Sequence, residues 1–213
     1  MVNEYNDPGY RRMSEIGLAG FLARSAVNGP GIRAVVWVQG CPRRCAGCFN
    51  PEFQPFSPAE VTDTDELARR ILAIPEIDGV TFSGGEPFAQ AGPLARVGRQ
   101  VRAAGLDVVT YSGYTCSVLV SGDDPEWSGL LEVTDILVAG PYVQELSCTG
   151  GLAGSSNQQV IALTERGRKT LPSAGAPPAR SMEFTIRGDG TIILTGFPAP
   201  GTGAGTALRT GGA

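Results

Sequence analysis

Histidine is absent from all 213 residues of the chain. Its absence removes the commonest completions of a zinc site, which needs four ligands from Cys, His or carboxylate. Charge is also sparse: charged residues are 18% of the composition, 17 basic against 21 acidic, for a net charge of -4. That balance argues against a nucleic-acid-binding surface. No apolar run approaches the roughly 18 residues that span a bilayer. The first residues, MVNEYNDPGYRR, lack the basic-then-apolar order of a signal peptide. A cytoplasmic chain without membrane contact is expected. Cysteines are few: five, an odd number, with three crowded into residues 41–48. Such a set makes a poor disulfide framework, and a reducing compartment keeps it as thiols. Metal or redox chemistry is the better expectation.

What the chain does have is alternation. Apolar residues make up 42%, as in a folded globular protein, and the length suits one main domain with appendages. GLAGFLA (17–23) and IRAVVWVQG (32–40) have strand composition around the turn-forming NGPG, and the second runs straight into Cys41. TDELARRILAI sets Leu67, Ile71 and Leu72 on one helical face behind Thr62 or Thr64 as a cap. DGVTFSGG (78–85) is a short buried strand, LARVGRQVRAAG (94–105) a helix ending on Gly105, and LDVVTYSG (106–113) a strand again. Short helices near 115–120 and 126–133 precede the apolar run TDILVAG at 134–140. Strands alternating with helices predict an α/β fold, βα units around a parallel sheet, with ligands at the carboxyl ends of the strands. Three candidate segments fall at such ends: residues 41–48, SGGEP (83–87) and YSGYT (111–115). MEFTIRGDGTIILTG (182–196) alternates about Gly-Asp-Gly and predicts a C-terminal β-hairpin appendage over 181–197. Residues 171–180 have linker composition, and 198–213 that of a disordered tail.

Cys41, Cys45 and Cys48 stand as C-x3-C-x2-C, and Gly40, Pro42 and Gly47 suit a tight loop that aims three sulfurs at one point. Zinc would need Cys116 or Cys148 as a fourth thiolate, and neither has a near partner. An iron–sulfur cube takes one ligand per iron, so three thiolates leave one iron open, as a catalytic metal keeps a position for substrate. A set of buried packing thiols is the bland alternative.

Further motifs follow in order: NGPGIR (28–33), GCPRRCAGCFN (40–50), SGGEP (83–87), YSGYT (111–115), DILVAGPYVQEL (135–146) and GSSNQ (154–158). With the open-iron spacing, this series resembles the radical S-adenosylmethionine (SAM) enzymes, in particular the activating proteins of anaerobic ribonucleotide reductase. The resemblance implies an incomplete (β/α) barrel of the radical SAM type over residues 14–165, open on one side to a large partner. It implies a [4Fe-4S] cluster on Cys41, Cys45 and Cys48 whose open iron chelates SAM. Reductive cleavage to a 5′-deoxyadenosyl radical would then remove a hydrogen from a glycine Cα of a glycyl-radical enzyme. Carried over residue by residue, Ser83, Gly84, Gly85 and Glu86 would contact the SAM amino group. Ser112, Gly113 and Tyr114 would wall the SAM pocket, and Phe49 would limit solvent access to the cluster.

Each of these segments also has a plainer reading. SGGEP and YSGYT are possible strand-end turns, Phe49 an ordinary core ring, NGPGIR a tight turn, and GSSNQ a set of local backbone caps. Cys116 and Cys148 are assigned burial and no ligand role. Arg43 and Arg44 put positive charge beside a cluster that must be reduced, where an acidic flavodoxin or ferredoxin donor could dock, or they are solvated surface arginines. Three functions remain open: a glycyl-radical activase, a radical SAM enzyme acting on a small molecule or peptide, and a non-enzymatic iron–sulfur or zinc-binding module.

Overall fold

The runs RAVVWV, GVTFSG, DVVTYS and ILVA become the parallel centre of one sheet because both faces of each are covered. The computed structural model describes residues 14–148, 151–171, 182–186, 188–196 and 208–209. Its main sheet holds β1 (Glu15–Ser25), β2 (Arg33–Val38), β3 (Glu60–Asp63), β4 (Gly79–Gly84), β5 (Asp107–Ser112), β6 (Ile136–Ala139) and β7 (Gln159–Ala162). The spatial order is β3-β1-β2-β4-β5-β6-β7. β2, β4, β5 and β6 are mutually parallel, with Val36 opposite Phe82 and Thr110 opposite Leu137. Antiparallel strands flank them: β1 on β2, β3 on β1, and β7 on β6. The fold is thus α/β with a mixed sheet rather than a wholly parallel one. The edge strands β3 and β7 escape the sequence because they are four residues each and largely exposed, so no burial pattern marks them.

Side chains along β2 alternate between two cores. Ala34, Val36 and Val38 join Val80, Phe82, Val108 and Leu137 under the helices, while Val35 and Trp37 pack on the opposite face with Ala19, Leu22 and Phe53. Each fully buried Val, Leu or Phe among them contributes about 1.5–3 kcal/mol. The helices are α1 (Thr64–Leu72), α2 (Ala91–Ala103), α3 (Cys116–Ser121), α4 (Pro125–Val133) and α5 (Glu165–Thr170). α1 buries Leu67 and Ile71 as expected, but Leu72 is 39% exposed, one step of about 100° round the helix from Ile71. Its cap is neither Thr62 nor Thr64. Asp63 holds extended backbone, and its carboxylate accepts from the Asp65 and Glu66 N–H groups at 2.8 and 3.3 Å. α2 starts three residues before the expected 94, since Pro93 in its first turn lacks only an N–H that would have no helical partner anyway.

β8 (Met182–Ile186) and β9 (Ile192–Gly196) form the expected antiparallel hairpin, Phe184 opposite Leu194. One correction attaches to this region. β10 (Leu208–Arg209) pairs with β9, so two residues of the expected disordered tail are a strand; the rest of that tail, and linker residues 172–180, lie outside the described residues. The hairpin also touches the main sheet. Ile193 packs against Val35 and Trp37 on the helix-free face of the main sheet. Among the described residues no helix is long and apolar enough to cross a membrane.

The amino ends of the parallel strands are closed by NGPGIR. Gly31 at φ 71° turns the chain, and the wholly buried Arg33 donates to Thr81 Oγ1 at 3.0 Å and to the Pro30 carbonyl while pairing with the Asp107 carboxylate. Residues 29–33 of this segment form a turn that delivers a structural cation, while Asn28 at its start reaches the cavity described below.

Candidate active site

At those carboxyl ends β2 runs into the cysteine loop. The root of the loop is fixed by backbone: Gly40 N–H donates to Phe53 O at 2.8 Å and Cys41 N–H to Gln54 O at 2.9 Å. Gln39 braces it from behind, its Nε2 donating to the Glu52 and Pro55 carbonyls at 3.1 and 2.7 Å. Beyond the root, Arg44 at φ 47° and Gly47 at φ 67° supply the left-handed turns that coil residues 41–48 back on themselves.

The SGGEP turn lies directly on this root. Gly85 N–H donates to Val38 O at 2.7 Å and Glu86 N–H to Gly40 O at 2.9 Å. A Cβ on Gly84 would stand 2.6 Å from the Val38 nitrogen, and one on Gly85 would stand 2.3 Å from the Gly40 oxygen. The two glycines are therefore demanded first by the contact of one backbone with another. Room for a ligand is the second consequence.

Glu86 is 1% exposed. Its Oε1 accepts from Phe88 N–H and Ser112 Oγ, both at 3.0 Å, and its Oε2 from Gly113 N–H at 2.8 Å. The carboxyl thus ties the turn after β4 to the turn after β5. Burial is the largest influence and pushes it up to about 7, against the pull of those three donors and of the Arg43 charge. Burial likewise pushes the Cys41 thiol up to about 11, so binding a metal there displaces a proton. The Tyr111 phenol is raised by the same cause.

One cavity is lined by Cys41, Cys45, Cys48, Phe49, Ser83, Gly84, Gly85, Glu86, Ser112 and Gly113, so nearly all the residues singled out from the sequence meet there. Tyr114 does not line it. The chain turns at Gly113, and the Tyr114 ring leaves to pack on Trp127, centroids 4.9 Å apart, beneath the Arg43 guanidinium. Tyr111 lines the cavity instead, with Trp37, Asn28, Tyr142, Thr195 and Gly196, none of them assigned from sequence. A signal for Trp37 existed: it is the register partner of Ser83 and shares its strand face. No local pattern pointed to Thr195.

Phe49 stacks at a tilt on Tyr142, centroids 4.6 Å apart. The GSSNQ segment braces the loop that carries Tyr142. Gln158 Nε2 donates to Gly140 O at 2.8 Å, Asn157 Nδ2 to Pro141 O at 2.7 Å, and Val143 N–H to Ser155 Oγ at 3.2 Å. Arg43 and Arg44 are both exposed, and of the two Arg43 also lines the cavity. Cys116 and Cys148 lie outside the lining, and the Cys148 thiol donates to Ala153 O at 3.3 Å.

Among the described residues no group of three or more Cys, Asp or Glu is arranged to hold a single metal ion. Zinc with Zn–S bonds of about 2.3 Å needs its sulfurs nearly in contact. A cluster gives each sulfur its own iron around one shared space, and Cys41, Cys45 and Cys48 all line the same cavity. Three thiols, a buried carboxyl and a bare glycine turn fit an iron–sulfur cluster beside a cationic ligand.

Residues 27–161 match the family described as a 4Fe-4S single cluster domain. The chain is similar to the anaerobic ribonucleoside-triphosphate reductase-activating protein of Vibrio cholerae serotype O1, with 30% identity over 148 residues, 65% of this chain and 92% of that protein. It is also similar to the pyruvate formate-lyase-activating enzyme of Staphylococcus aureus strain USA300, with 30% identity over 118 residues, 53% of this chain but only 47% of that enzyme.

Proposed function

Because the chain belongs to the 4Fe-4S single cluster domain family, in its branch of radical SAM enzymes that activate glycyl-radical enzymes, we propose that it cleaves SAM reductively and takes a hydrogen from a partner glycine. The cofactors are a [4Fe-4S] cluster and SAM. The observation that carries the proposal is the convergence of Cys41, Cys45 and Cys48 with the buried Glu86 on one cavity. Bound there, the cluster would supply the electron that breaks a carbon–sulfur bond of the sulfonium.

The chain's own residues divide the remaining work. Cys41, Cys45 and Cys48, which line one cavity, would hold the cluster and leave one iron for SAM. Glu86, charged above about pH 7, would pair with the SAM ammonium, and Ser112 and Gly113 hold that carboxylate in place. Ser83, Gly84 and Gly85 line the cavity and would present backbone to the methionine part of SAM. Phe49, stacked on Tyr142, keeps water from the sulfurs. Arg44, exposed beside the loop, offers a dock to an acidic flavodoxin or ferredoxin. The parallel centre with antiparallel flanks, whose outermost strands β3 and β7 do not pair with each other, supports the reading of an incomplete barrel.

The test is anaerobic reconstitution with iron and sulfide. Alanine at Cys41, Cys45 or Cys48 should abolish both cluster absorbance and deoxyadenosine formation, while Cys116→Ala and Cys148→Ala should keep both. Deuterium from a labelled glycine of the same organism's anaerobic ribonucleotide reductase should appear in deoxyadenosine. Full SAM cleavage with no label transfer from any glycyl-radical protein of the same organism would reject the activase function and leave a small-molecule or peptide substrate.

A further inference from the structure

The segment that matches the family ends at residue 161, but the cavity does not. Thr195 and Gly196, at the end of β9, line it beside Asn28. Both strands of the hairpin are fastened to the turn before β2. Glu183 of β8 accepts from Ser25 Oγ at 2.5 Å and from Ala26 N–H at 3.2 Å. Asn28 Nδ2 donates to the same Ser25 oxygen at 2.7 Å, and Asn28 Oδ1 accepts from Thr195 Oγ1 at 3.0 Å. Under this chain of four polar groups Ile193, 1% exposed, packs on Val35 and Trp37. Gly196 sits at φ 104°, where other residues are strained, so at this point the hairpin brings bare backbone to the cavity.

We infer that the β8–β9 hairpin is the substrate-side wall of the active site, and that Thr195 and Gly196, clamped through Glu183, Ser25 and Asn28, select the substrate that enters. The inference rests on the reading of the cavity as a radical SAM site. A hydroxyl, a side-chain amide and bare backbone suit an extended peptide, whose N–H and C=O groups need partners on entering a cleft. A glycine at its centre adds no Cβ to be accommodated against that wall. The residues assigned above to the cluster and SAM, by contrast, belong to the cysteine loop and the turns after β4 and β5. The wall should therefore act on substrate and not on SAM.

The experiment uses the full-length, cluster-loaded chain with Glu183→Ala and Glu183→Gln, and a pair of short peptides with glycine or alanine at the centre. Glutamine keeps an acceptor oxygen for Ser25 and Ala26; alanine does not. Glu183→Ala should speed amide exchange in β8 and β9 of the apo-protein. It should also raise KM for the glycine peptide about tenfold, the worth of one hydrogen bond to a charged group. SAM affinity should stay within about twofold, and Glu183→Gln should restore the peptide KM. Faster exchange with an unchanged peptide KM would overturn the inference, as would an equal change in SAM affinity. If the wild type draws no label from the peptides or the partner yet cleaves SAM when a metabolite is added, the activase reading fails. The same variants then test the wall on the KM of that metabolite, where an unchanged value overturns it.

Discussion

At the amino ends of β2 and β5 the Arg33 guanidinium meets the Asp107 carboxylate, and Thr81, Pro30 and Thr170 take further hydrogen-bonding positions. At the carboxyl ends Glu86 is as deeply buried but is held by neutral donors alone: two backbone N–H groups and one hydroxyl. The first end is electrically complete, because a buried ion pair with satisfied hydrogen bonds asks for nothing more. The second carries a charge whose desolvation is only part-compensated, which raises its pKa and leaves it ready for a cation. One sheet thus has a finished end that serves stability and an unfinished end that serves binding.

The largest expected effect comes from breaking the finished end. Asp107→Ala strands a buried guanidinium and should cost about 3–5 kcal/mol in urea unfolding of the apo-protein. Arg33→Met combined with Asp107→Leu should recover most of that loss, since an apolar pair leaves no buried charge behind. A loss below about 1 kcal/mol for Asp107→Ala, the level of an exposed pair, would mean that the two ends do not differ in kind.

Glu86 gives the next effect, with a defined sign. Burial holds its folded pKa above the ordinary carboxyl value, so its favourable contribution is fully present below about pH 4.5 and is lost as pH rises through about 7. The loss is on the order of 3 kcal/mol. Glu86→Gln should flatten this part of the apo-protein's stability profile. SAM affinity in the wild type should rise as the carboxylate forms, and the Gln variant should lose both that rise and roughly tenfold or more in affinity. A pH-independent wild-type profile would sink the contrast between the ends.

The smallest expected effect belongs to Ser112→Ala. It removes one donor from Glu86 and the acceptor of the Tyr114 N–H at 3.1 Å. A cost of about 1–2 kcal/mol is expected at pH 8. At pH 4 the cost should shrink, because the lost bond favours the charged carboxylate.

The central strands were legible because a strand buried on both faces leaves an unbroken apolar run, as in RAVVWV. α1 and α2 were legible through their spacing of apolar residues, although the cap fell to Asp63 rather than a threonine. The cysteine loop and both glycine turns were legible as motifs. Their internal logic was not: nothing local says that Gly84 and Gly85 are pressed against Val38 and Gly40, or that Glu86 reaches across to Gly113. That Tyr111 rather than Tyr114 lines the cavity was not legible, because the Tyr114 ring packs on Trp127 once the chain has turned. The wall at Thr195 was least legible of all, since residues more than 30 positions beyond the last family motif reach the cavity only by docking of the hairpin.

A carboxyl that changes charge near neutrality in a chain without imidazole has a spectroscopic use. The carbonyl stretch of a protonated acid absorbs apart from the amide bands, and no histidine titration overlaps its pH window. Infrared difference spectra of the apo-protein should show a band for protonated Glu86 that fades when an amine enters, timing the filling of the cavity without any label.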